Sequence, residues 1–382
     1  MISCDVLVLG VGGVGSAALA QLASRGIRAI GIDRFAPPHD RGSSHGHTRA
    51  IRQAYFEHPN YVPLLRRAYE LWDELEQSVE KHLFHRVGLL EAGIPDGEVV
   101  PGVLASAAEH NLAVQRYSVE EARRRWPMLN FDDSFDVVFE ENAGYLLVEQ
   151  CIEASCDIAR RHGAEIHTDE VVSWRPSGEG VEVETTQSRY TASRLIVTAG
   201  AWASDLLATA GLQTPLRVLR KHLHWHRTAD PRYRSTAGHD SFPVFFFEEP
   251  ADCDGVVRFF YGFPQCDERG VKVAEHTGGS ETPDPLTDPR DTEADDIARV
   301  SAFVDKRLSG VTATPHDHRV CFYTMSPDGH FVIDRLPTAP AVCFAAGLSG
   351  HGFKFAPALA EALCRLALDE PISLPLDFLR MR

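Results

Sequence analysis

The opening of the chain alternates apolar runs with a glycine-rich turn. Residues 5–9 (DVLVL) form a short apolar run, which is typical of a buried parallel strand. A glycine-rich segment follows at 10–15, and residues 16–24 (SAALAQLAS) are rich in alanine and leucine, which favours a helix. Residues 27–33 (IRAIGID) form a second apolar run. The order strand, loop, helix, strand predicts a βαβ unit with a right-handed crossover.

Helical and strand-like patterns alternate through the rest of the chain. The polar, glycine-rich residues 42–52 predict a loop that runs into a helix. The segment 216–325 is strand-rich and aromatic, with a loop-like polar stretch at 278–296. The other predicted elements are helices at 60–79, 97–111, 119–126 and 148–162, strands at 87–91, 181–186, 194–198 and 341–346, a glycine loop at 347–352, and a helix that ends at 366.

These patterns predict an α/β protein, more fully an α+β two-domain protein. Since the chain has 382 residues, one compact core is not expected. We expect a Rossmann-like nucleotide-binding domain from residues 1–85, 145–215 and 322–382. An antiparallel-sheet substrate domain, from residues 86–144 and 216–321, is expected to be inserted into it.

Composition and charge exclude several classes of function. Hydrophobic residues make up 44% and charged residues 24%, and the formal net charge is −16. Such an acidic surface does not favour nucleic acid or anionic membrane as a partner. No apolar run reaches the ~18 residues of a membrane span. The N-terminus lacks a basic segment and predicts a first strand, not a signal peptide, so we expect a cytoplasmic protein.

The cysteines and histidines give no metal or disulfide pattern. The eight cysteines are dispersed, with no CxxC pair, and are expected to be mostly buried thiols. His45 with His47, and His316 with His318, lack a third ligand at a known spacing. We therefore predict no metal site.

The glycine loop carries the first functional prediction. Residues 10–15 (GVGGVG) match GxGxxG, in which glycines let the main chain approach a pyrophosphate at a helix N-terminus. Asp33 follows Gly15 by 18 residues, at the end of the second predicted strand, where an acid can bind ribose hydroxyls. The whole unit predicts a dinucleotide site. The motif alone does not separate NAD from FAD.

Blocks along nearly the whole chain resemble one flavoprotein family. In chain order they are GSSHGHTRAIR at 42–52, YGFP at 261–264, VKVAEH at 271–276, CFYT at 321–324, FVID at 331–334 and GLSGHGFKF at 347–355. With the N-terminal glycine motif, they resemble the monomeric sarcosine oxidase and N-methyl-L-tryptophan oxidase family, within the glycine and D-amino-acid oxidase-like superfamily. The resemblance implies FAD as the cofactor.

The resemblance also implies how FAD is held. Cys321 matches the cysteine whose thiol is joined to the flavin 8α-methyl in that family, which implies a covalent 8α-S-cysteinyl FAD. The alternative is an ordinary buried thiol. The implied cofactor-binding positions are Gly10, Gly12, Gly13, Val14, Gly15, Asp33, Arg34, His45, Thr48, Arg49, Val172, Cys321, Gly350, Gly352 and Lys354.

A second implied set concerns the substrate. Arg52 and Lys354 match the pair that holds the substrate carboxylate, a role suited to a guanidinium fork and an ammonium. Lys272 matches a lysine over the flavin, where a fixed cation favours reduction of O₂. The implied catalytic residues are Lys272, His276, Arg49 and Tyr323, and the implied substrate-binding residues are Arg52, Lys354, Tyr261, Phe246 and His351.

The implied activity is oxidation of N-methyl, or secondary, amino acids. Hydride transfer to flavin N5 would be followed by hydrolysis of the imine, and O₂ would be reduced to hydrogen peroxide. The implied partners are a small amino acid and O₂, and the implied state is a monomer. The alternatives are an oxidase of the same fold acting on a cyclic imino acid or a D-amino acid, and, less favoured, an NAD-linked dehydrogenase.

Three positions depart from the family pattern. Phe246 lies where the family varies with substrate, Gly329 replaces a usual acid, and His47 stands where an acid is common. A ring at Phe246 would reshape the cavity. These departures leave the substrate open.

Overall fold

The computed structural model of the protein describes residues 1–209, 211–212, 214–236, 241–251 and 254–381. The cysteines within these ranges are free thiols. Cys253, one of the cysteines expected to be a buried thiol, lies outside the described residues. Along the described ranges, no helix is both long enough and apolar enough to cross a membrane.

The helices and strands follow one another along the whole chain. The helices are α1 (Gly13–Ser24), α2 (Val62–Val79), α3 (Val99–His110), α4 (Val119–Arg125), α5 (Val148–Arg161), α6 (Ala203–Ala208), α7 (Ala294–Arg307) and α8 (Ala356–Ala367). The strands are β1 (Ile2–Leu9), β2 (Ala29–Asp33), β3 (Thr48–Ile51), β4 (Phe84–His85), β5 (Leu89–Gly93), β6 (Gln115–Tyr117), β7 (Asp136–Glu140), β8 (Gly144–Leu147), β9 (Glu165–Thr168), β10 (Val171–Ser177), β11 (Gly180–Thr185), β12 (Arg189–Val197), β13 (Arg217–His226), β14 (Val244–Glu249), β15 (Arg258–Phe263), β16 (Val271–Glu275), β17 (Ser280–Glu281), β18 (Asp317–Met325), β19 (Val332–Leu336) and β20 (Ala339–Ala346).

The first sheet has a parallel centre in the order β12-β1-β2-β9, and β20 runs parallel to β12. Alternation along β1 decides its two faces. Val6 and Val8 pack under the helices α1, α5 and α8, whereas Leu7 and Leu9 enter the opposite core. The predicted βαβ unit is confirmed, with β1, α1 and β2 in the expected order.

The second sheet follows the order β17-β13-β16-β15-β14-β5-β7-β6, and β18 also pairs with β13. Its pairs are antiparallel except for β5 with β14, which run parallel. One face packs on α7 and an aromatic core. The other face carries Phe246, Tyr261, Cys321 and Tyr323. This inserted, mostly antiparallel sheet confirms the predicted fold class; the domain bounds stay a prediction.

Two features differ from the sequence-based expectation. The segment 42–52 ends in strand β3 and not in a helix, because Thr48 and Ile51 are β-branched and β3 pairs with β8. Helix α7 was missed inside the strand-rich segment. Its buried residues Val300, Phe303, Val304 and Arg307 recur at helical spacing, and its ends carry complementary charge.

Candidate active site

A long cleft opens at the carboxyl ends of the parallel strands. Its lining holds about 1620 Å³ of empty space, including its open mouth. Such a crevice is where open α/β sheets bind their ligands. Most of the predicted cofactor positions line it: Gly10, Gly12, Gly13, Val14, Asp33, Arg34, Arg49, Val172, Gly350 and Gly352.

The glycine loop brings bare main chain to this cleft. Helix α1 begins at Gly13, whose amide donates to the Ser44 hydroxyl at 3.3 Å, and the N-cap residue Gly12 has no side chain to cap the helix. The positive N-terminal end of the helix favours an anion. Gly10 has φ +92°, and a Cβ there would lie 2.6 Å from the carbonyl oxygen of Thr198. A Cβ on Gly15 would overlap the carbonyl oxygen of Gly10. The loop therefore fits the pyrophosphate of a dinucleotide and tolerates no side chain at these two positions.

A Gly15→Ala variant is expected to lose FAD while it keeps its fold. The added methyl forces the main chain of the loop apart, and overpacking of this kind costs about 1–3 kcal/mol, roughly 5- to 150-fold in affinity. Gly42→Ala is the matched control, since a Cβ there makes only ordinary contacts at 3.7 Å. Bound flavin per protein and far-ultraviolet circular dichroism measure the two effects. Equal flavin content in both variants would contradict the role of the loop.

Asp33 organises the next part of the cleft. Its carboxylate accepts hydrogen bonds from the backbone amides of Val11, at 2.6 Å, and Phe35, at 3.0 Å. His39 lies 3.3 Å from the same group. The acid thus joins the glycine loop to the end of β2. Arg34 pairs with Glu170 at 2.8 Å at the cleft's edge.

A second, smaller cavity meets the cleft. The two spaces share four lining residues, Arg49, Tyr323, Gly350 and Phe353. A molecule in either space can therefore contact these four residues. The remaining polar or aromatic lining of the smaller cavity is Arg52, Glu57, Glu91, Phe245, Phe246, Tyr261, His276, His351 and Lys354. The structure therefore brings every predicted substrate-binding residue together.

Arg52 and Lys354 are buried in this cavity. The Arg52 guanidinium contacts Glu57 at 2.7 Å and Glu91 at 3.1 Å, and it lies over the rings of Tyr55 and Phe56. The Lys354 ammonium donates to the carbonyl of His351 at 2.9 Å. Burial, reinforced by the charge of Arg52 and opposed by Glu57 and Glu91, lowers the pKa of Lys354 to about 7.

The two histidines of the cavity are neutral. Burial lowers the pKa of His276 to about 3 and that of His351 to about 4. His276 Nδ1 lies 3.2 Å from the Tyr323 hydroxyl. His351 Nε2 lies 3.0 Å from the carbonyl oxygen of Gly329, the position where the family's usual acid is absent. Both nitrogens of His351 are engaged, since its Nδ1 lies 2.6 Å from the Tyr55 hydroxyl. The ring of His276 can offer a lone pair or an N–H without carrying charge.

Five predicted residues lie behind the walls of the cavities: Gly15, Lys272, Thr48, His45 and Cys321. The Lys272 ammonium donates to the carbonyls of Gly46 and Thr48, both at 2.8 Å, and to the Thr48 hydroxyl at 3.1 Å. Burial, reinforced by Arg49, lowers the pKa of Lys272 well below its usual value. Burial also lowers the pKa of His45 to about 3. These residues set the charge and shape of the loop beside the junction.

Cys321 lies on β18, directly before three residues that line the cleft, Phe322, Tyr323 and Thr324. The thiol is 1% exposed. Cationic side chains surround it and interact with it electrostatically: Arg49, Lys272, Lys221 and Arg290.

Sequence reasoning missed several residues of the site. Glu57 and Glu91 line the smaller cavity, and Ser44, Trp202 and Phe353 line the cleft. A single acid, hydroxyl or ring in a loop or strand carries no motif. No group of three or more histidine, cysteine or acidic side chains within the described ranges is arranged to hold a metal.

Comparison with known proteins agrees with this geometry. Residues 5–366 match the family described as FAD dependent oxidoreductase. Monomeric sarcosine oxidase of Bacillus sp. (strain B-0618) is 38% identical over 95% of this chain and 92% of its own. N-methyl-L-tryptophan oxidase of Yersinia pestis (strain Pestoides F) is 37% identical over 96% of this chain and 95% of its own. The fold also matches that of NikD, an unusual amino acid oxidase, with a TM-score of 0.88 at 21% identity over 100% of this chain and 98% of that one. The chain therefore belongs to the FAD-dependent oxidoreductase family.

Proposed function

We propose that this protein oxidises N-methyl amino acids, whose amine is secondary and open-chain, with FAD and O₂. The observation that carries the proposal is the pairing of two cavities. The smaller cavity holds Arg52 and Lys354 and joins the dinucleotide cleft at Arg49 and Tyr323. A small molecule held by its carboxylate at Arg52 and Lys354 can then direct its amine end toward the cofactor. The names of two relatives, a sarcosine oxidase and an N-methyl-L-tryptophan oxidase, support this class of substrate.

The protein's own groups position and desolvate the substrate. Phe246 and Tyr261 supply an apolar wall, and Phe56 and Phe259 pack against Phe246 at 5.4 and 5.8 Å between ring centroids. The neutral ring of His276 can accept a hydrogen bond from the amine, which must be uncharged to react. FAD, when bound, supplies the redox chemistry by taking two electrons from the substrate and passing them to O₂. Positioning of this kind accounts for a large part of the rate of such reactions.

The proposal is tested by the substrate range of the purified holoenzyme. Sarcosine, N-methyl-L-tryptophan, L-proline and several D-amino acids would be mixed with the protein without O₂, and the absorbance of the flavin would be followed. We expect the N-methyl amino acids to bleach it and, in air, to yield hydrogen peroxide. Bleaching only by a cyclic imino acid or a D-amino acid would overturn the proposal. Gel filtration tests the accompanying proposal of a monomer.

We further propose that Cys321 carries the flavin covalently. In the wild type, flavin is expected to stay with the acid-precipitated protein, and in Cys321→Ser it is expected to be released. Cys343→Ser is the matched control, because Cys343 is another strand thiol of similar burial, 2% against 1% exposed. Flavin that is released from the wild type, or retained by Cys321→Ser, would contradict the linkage.

A further inference from the structure

Glu91 is a buried acid that the proposed function does not use. It is 1% exposed and lies on β5, paired with Phe246 of β14, which in turn pairs with Tyr261 of β15. Paired residues of neighbouring strands share a face of the sheet, so one row of side chains runs Glu91, Phe246, Tyr261 along the wall of the substrate cavity. An unpaired acid in such a row is costly unless it has a partner or a proton.

The partner of Glu91 is the group that is proposed to hold the substrate. One edge of the Arg52 guanidinium consists of Nε and Nη2. Nη2 contacts Glu57 at 2.7 Å, and Nε lies 3.1 Å from Glu91 Oε1. That second contact lacks hydrogen-bond geometry, and both Arg52 Nε and Glu91 Oε1 remain without a hydrogen bond. The edge that a carboxylate would grip in two parallel bonds is therefore shared by two protein acids.

The charges that face Glu91 distinguish the two acids. Three parts of the chain bring charged groups toward Glu91: the segment after β3 carries Arg52 and Glu57, β7 carries Glu140, and Lys354 lies beside the start of α8. Other titratable groups that line the same cavity include His276, His351, Arg49 and Tyr261. Burial opposes the charge of Glu57, but the charges of Arg52 and Lys354 hold its pKa below the usual value, so this acid stays ionised. Burial raises the pKa of Glu91 to about 8, helped by Glu140 and Glu57 and opposed by Arg52. Of the two acids on Arg52, Glu91 is the one that can take a proton.

We infer that Glu91 is part of the carboxylate-binding site and holds a proton whenever a ligand carboxylate occupies Arg52. The ligand takes over the Nε–H of Arg52, the carboxylate of Glu91 takes one proton from solvent, and its new O–H can donate to an oxygen of the ligand. This inference rests on the proposed function, since it needs a carboxylate to bind at Arg52. Ionised Glu91 competes for Arg52 and repels the ligand, so the affinity for the ligand falls as the pH rises through the pKa of Glu91.

The test uses acetate and the intact holoenzyme. Acetate keeps its charge across pH 6.5 to 9.5 and has no amine, so any pH dependence of its dissociation constant belongs to the protein. Binding is read from the perturbed absorbance of the flavin. In the wild type, the constant is expected to rise by about tenfold per pH unit above about pH 8, as for one linked proton. In Glu91→Gln, this full slope is expected to be lost, since the amide imitates the protonated acid and cannot ionise, and only the shallower dependence due to Lys354, whose pKa is about 7, is expected to remain.

A control variant and a measurement of proton uptake test whether Glu91 is the group that takes up the proton. Glu57→Gln is the matched control, because it removes the other acid from the same guanidinium, and it is expected to keep the wild-type slope. Proton uptake by the wild type, followed with an indicator dye in weak buffer at pH 9, is expected to reach between about half and one proton per acetate bound. This second readout needs no variant and does not depend on how Glu91→Gln folds.

The possible results distinguish failure of the proton-uptake role of Glu91 from failure of the proposed function. A wild-type constant that does not change with pH, without proton uptake, would overturn the inference and leave the carboxylate site standing. A full slope that persists in Glu91→Gln would also overturn it and assign the proton to Lys354. If acetate and the N-methyl amino acids fail to bind at any pH, the proposed function itself fails.

Discussion

Replacing Lys272 by methionine is expected to slow the reaction of the reduced enzyme with O₂ by about 10²- to 10³-fold, the usual effect of removing one preorganised charge. The first electron passed to O₂ builds negative charge on oxygen. The Lys272 ammonium is 2% exposed and oriented by two carbonyls and a hydroxyl, so it needs little rearrangement to stabilise that charge. Anaerobic reduction of the flavin by substrate is expected to change far less. Stopped-flow absorbance measures both steps separately.

The structure also gives Lys272 a competing role. Its three hydrogen bonds hold the main chain at Gly46 and Thr48, so its loss could simply loosen the loop beside the cleft. Lys221→Met is the matched control. The Lys221 ammonium is similarly buried, 3% exposed, and donates to the carbonyls of Thr277 and Gly278 at 2.6 and 3.1 Å.

The two half-reactions decide between these roles. A loosened loop would release flavin or slow both half-reactions together. If only the reaction with O₂ is slowed, and only in Lys272→Met and not in Lys221→Met, Lys272 has a direct role in the reaction with O₂. A Lys272→Met enzyme that reacts with O₂ at the wild-type rate would reject it.

The dinucleotide cleft could be predicted because its signal is local. The glycine loop, the helix and Asp33 lie within one βαβ unit, and steric overlap at Gly15 forces that sequence at that place. The strand-rich segment was equally visible as an aromatic, β-branched pattern. Helix α7 was not, because its short apolar stripe is embedded in charged residues.

The substrate cavity could not be derived from pattern alone. Arg52 and Lys354 meet only because β3 and the segment before α8 converge beside the inserted sheet. The roles of these two residues were implied by the family resemblance. A resemblance indicates which positions correspond, but it does not show which side chains surround them in this protein. Glu91 could not be predicted as a site residue, because a single acid in an apolar strand belongs to no sequence motif. Its role is suggested only by the structure, in which Arg52 lies beside it.

Replacing Arg52 by glutamine is expected to lower kcat/KM for an N-methyl amino acid by about 10²- to 10³-fold, mostly through KM, as for loss of one partner of a buried charge pair. The substrate loses the guanidinium fork, and Glu57 and Glu91 lose their shared cation. Without that cation, ionised Glu57 repels a carboxylate. Steady-state kinetics and the melting temperature together measure the effect on binding and the cost to the fold.

A substrate without a carboxylate separates these two effects. Oxidation of a simple N-methylamine gains nothing from the Arg52 fork, so Arg52→Gln is expected to change its kcat/KM by less than about tenfold. Arg52→Lys keeps the charge but loses the planar pair of donors, and we expect it to recover only part of the affinity for the amino acid. Adding Glu57→Gln to Arg52→Gln removes one stranded acid and is expected to restore melting temperature without restoring KM. Equal losses for the amino acid and for the amine would show that Arg52 supports the fold of the cavity and does not recognise the carboxylate.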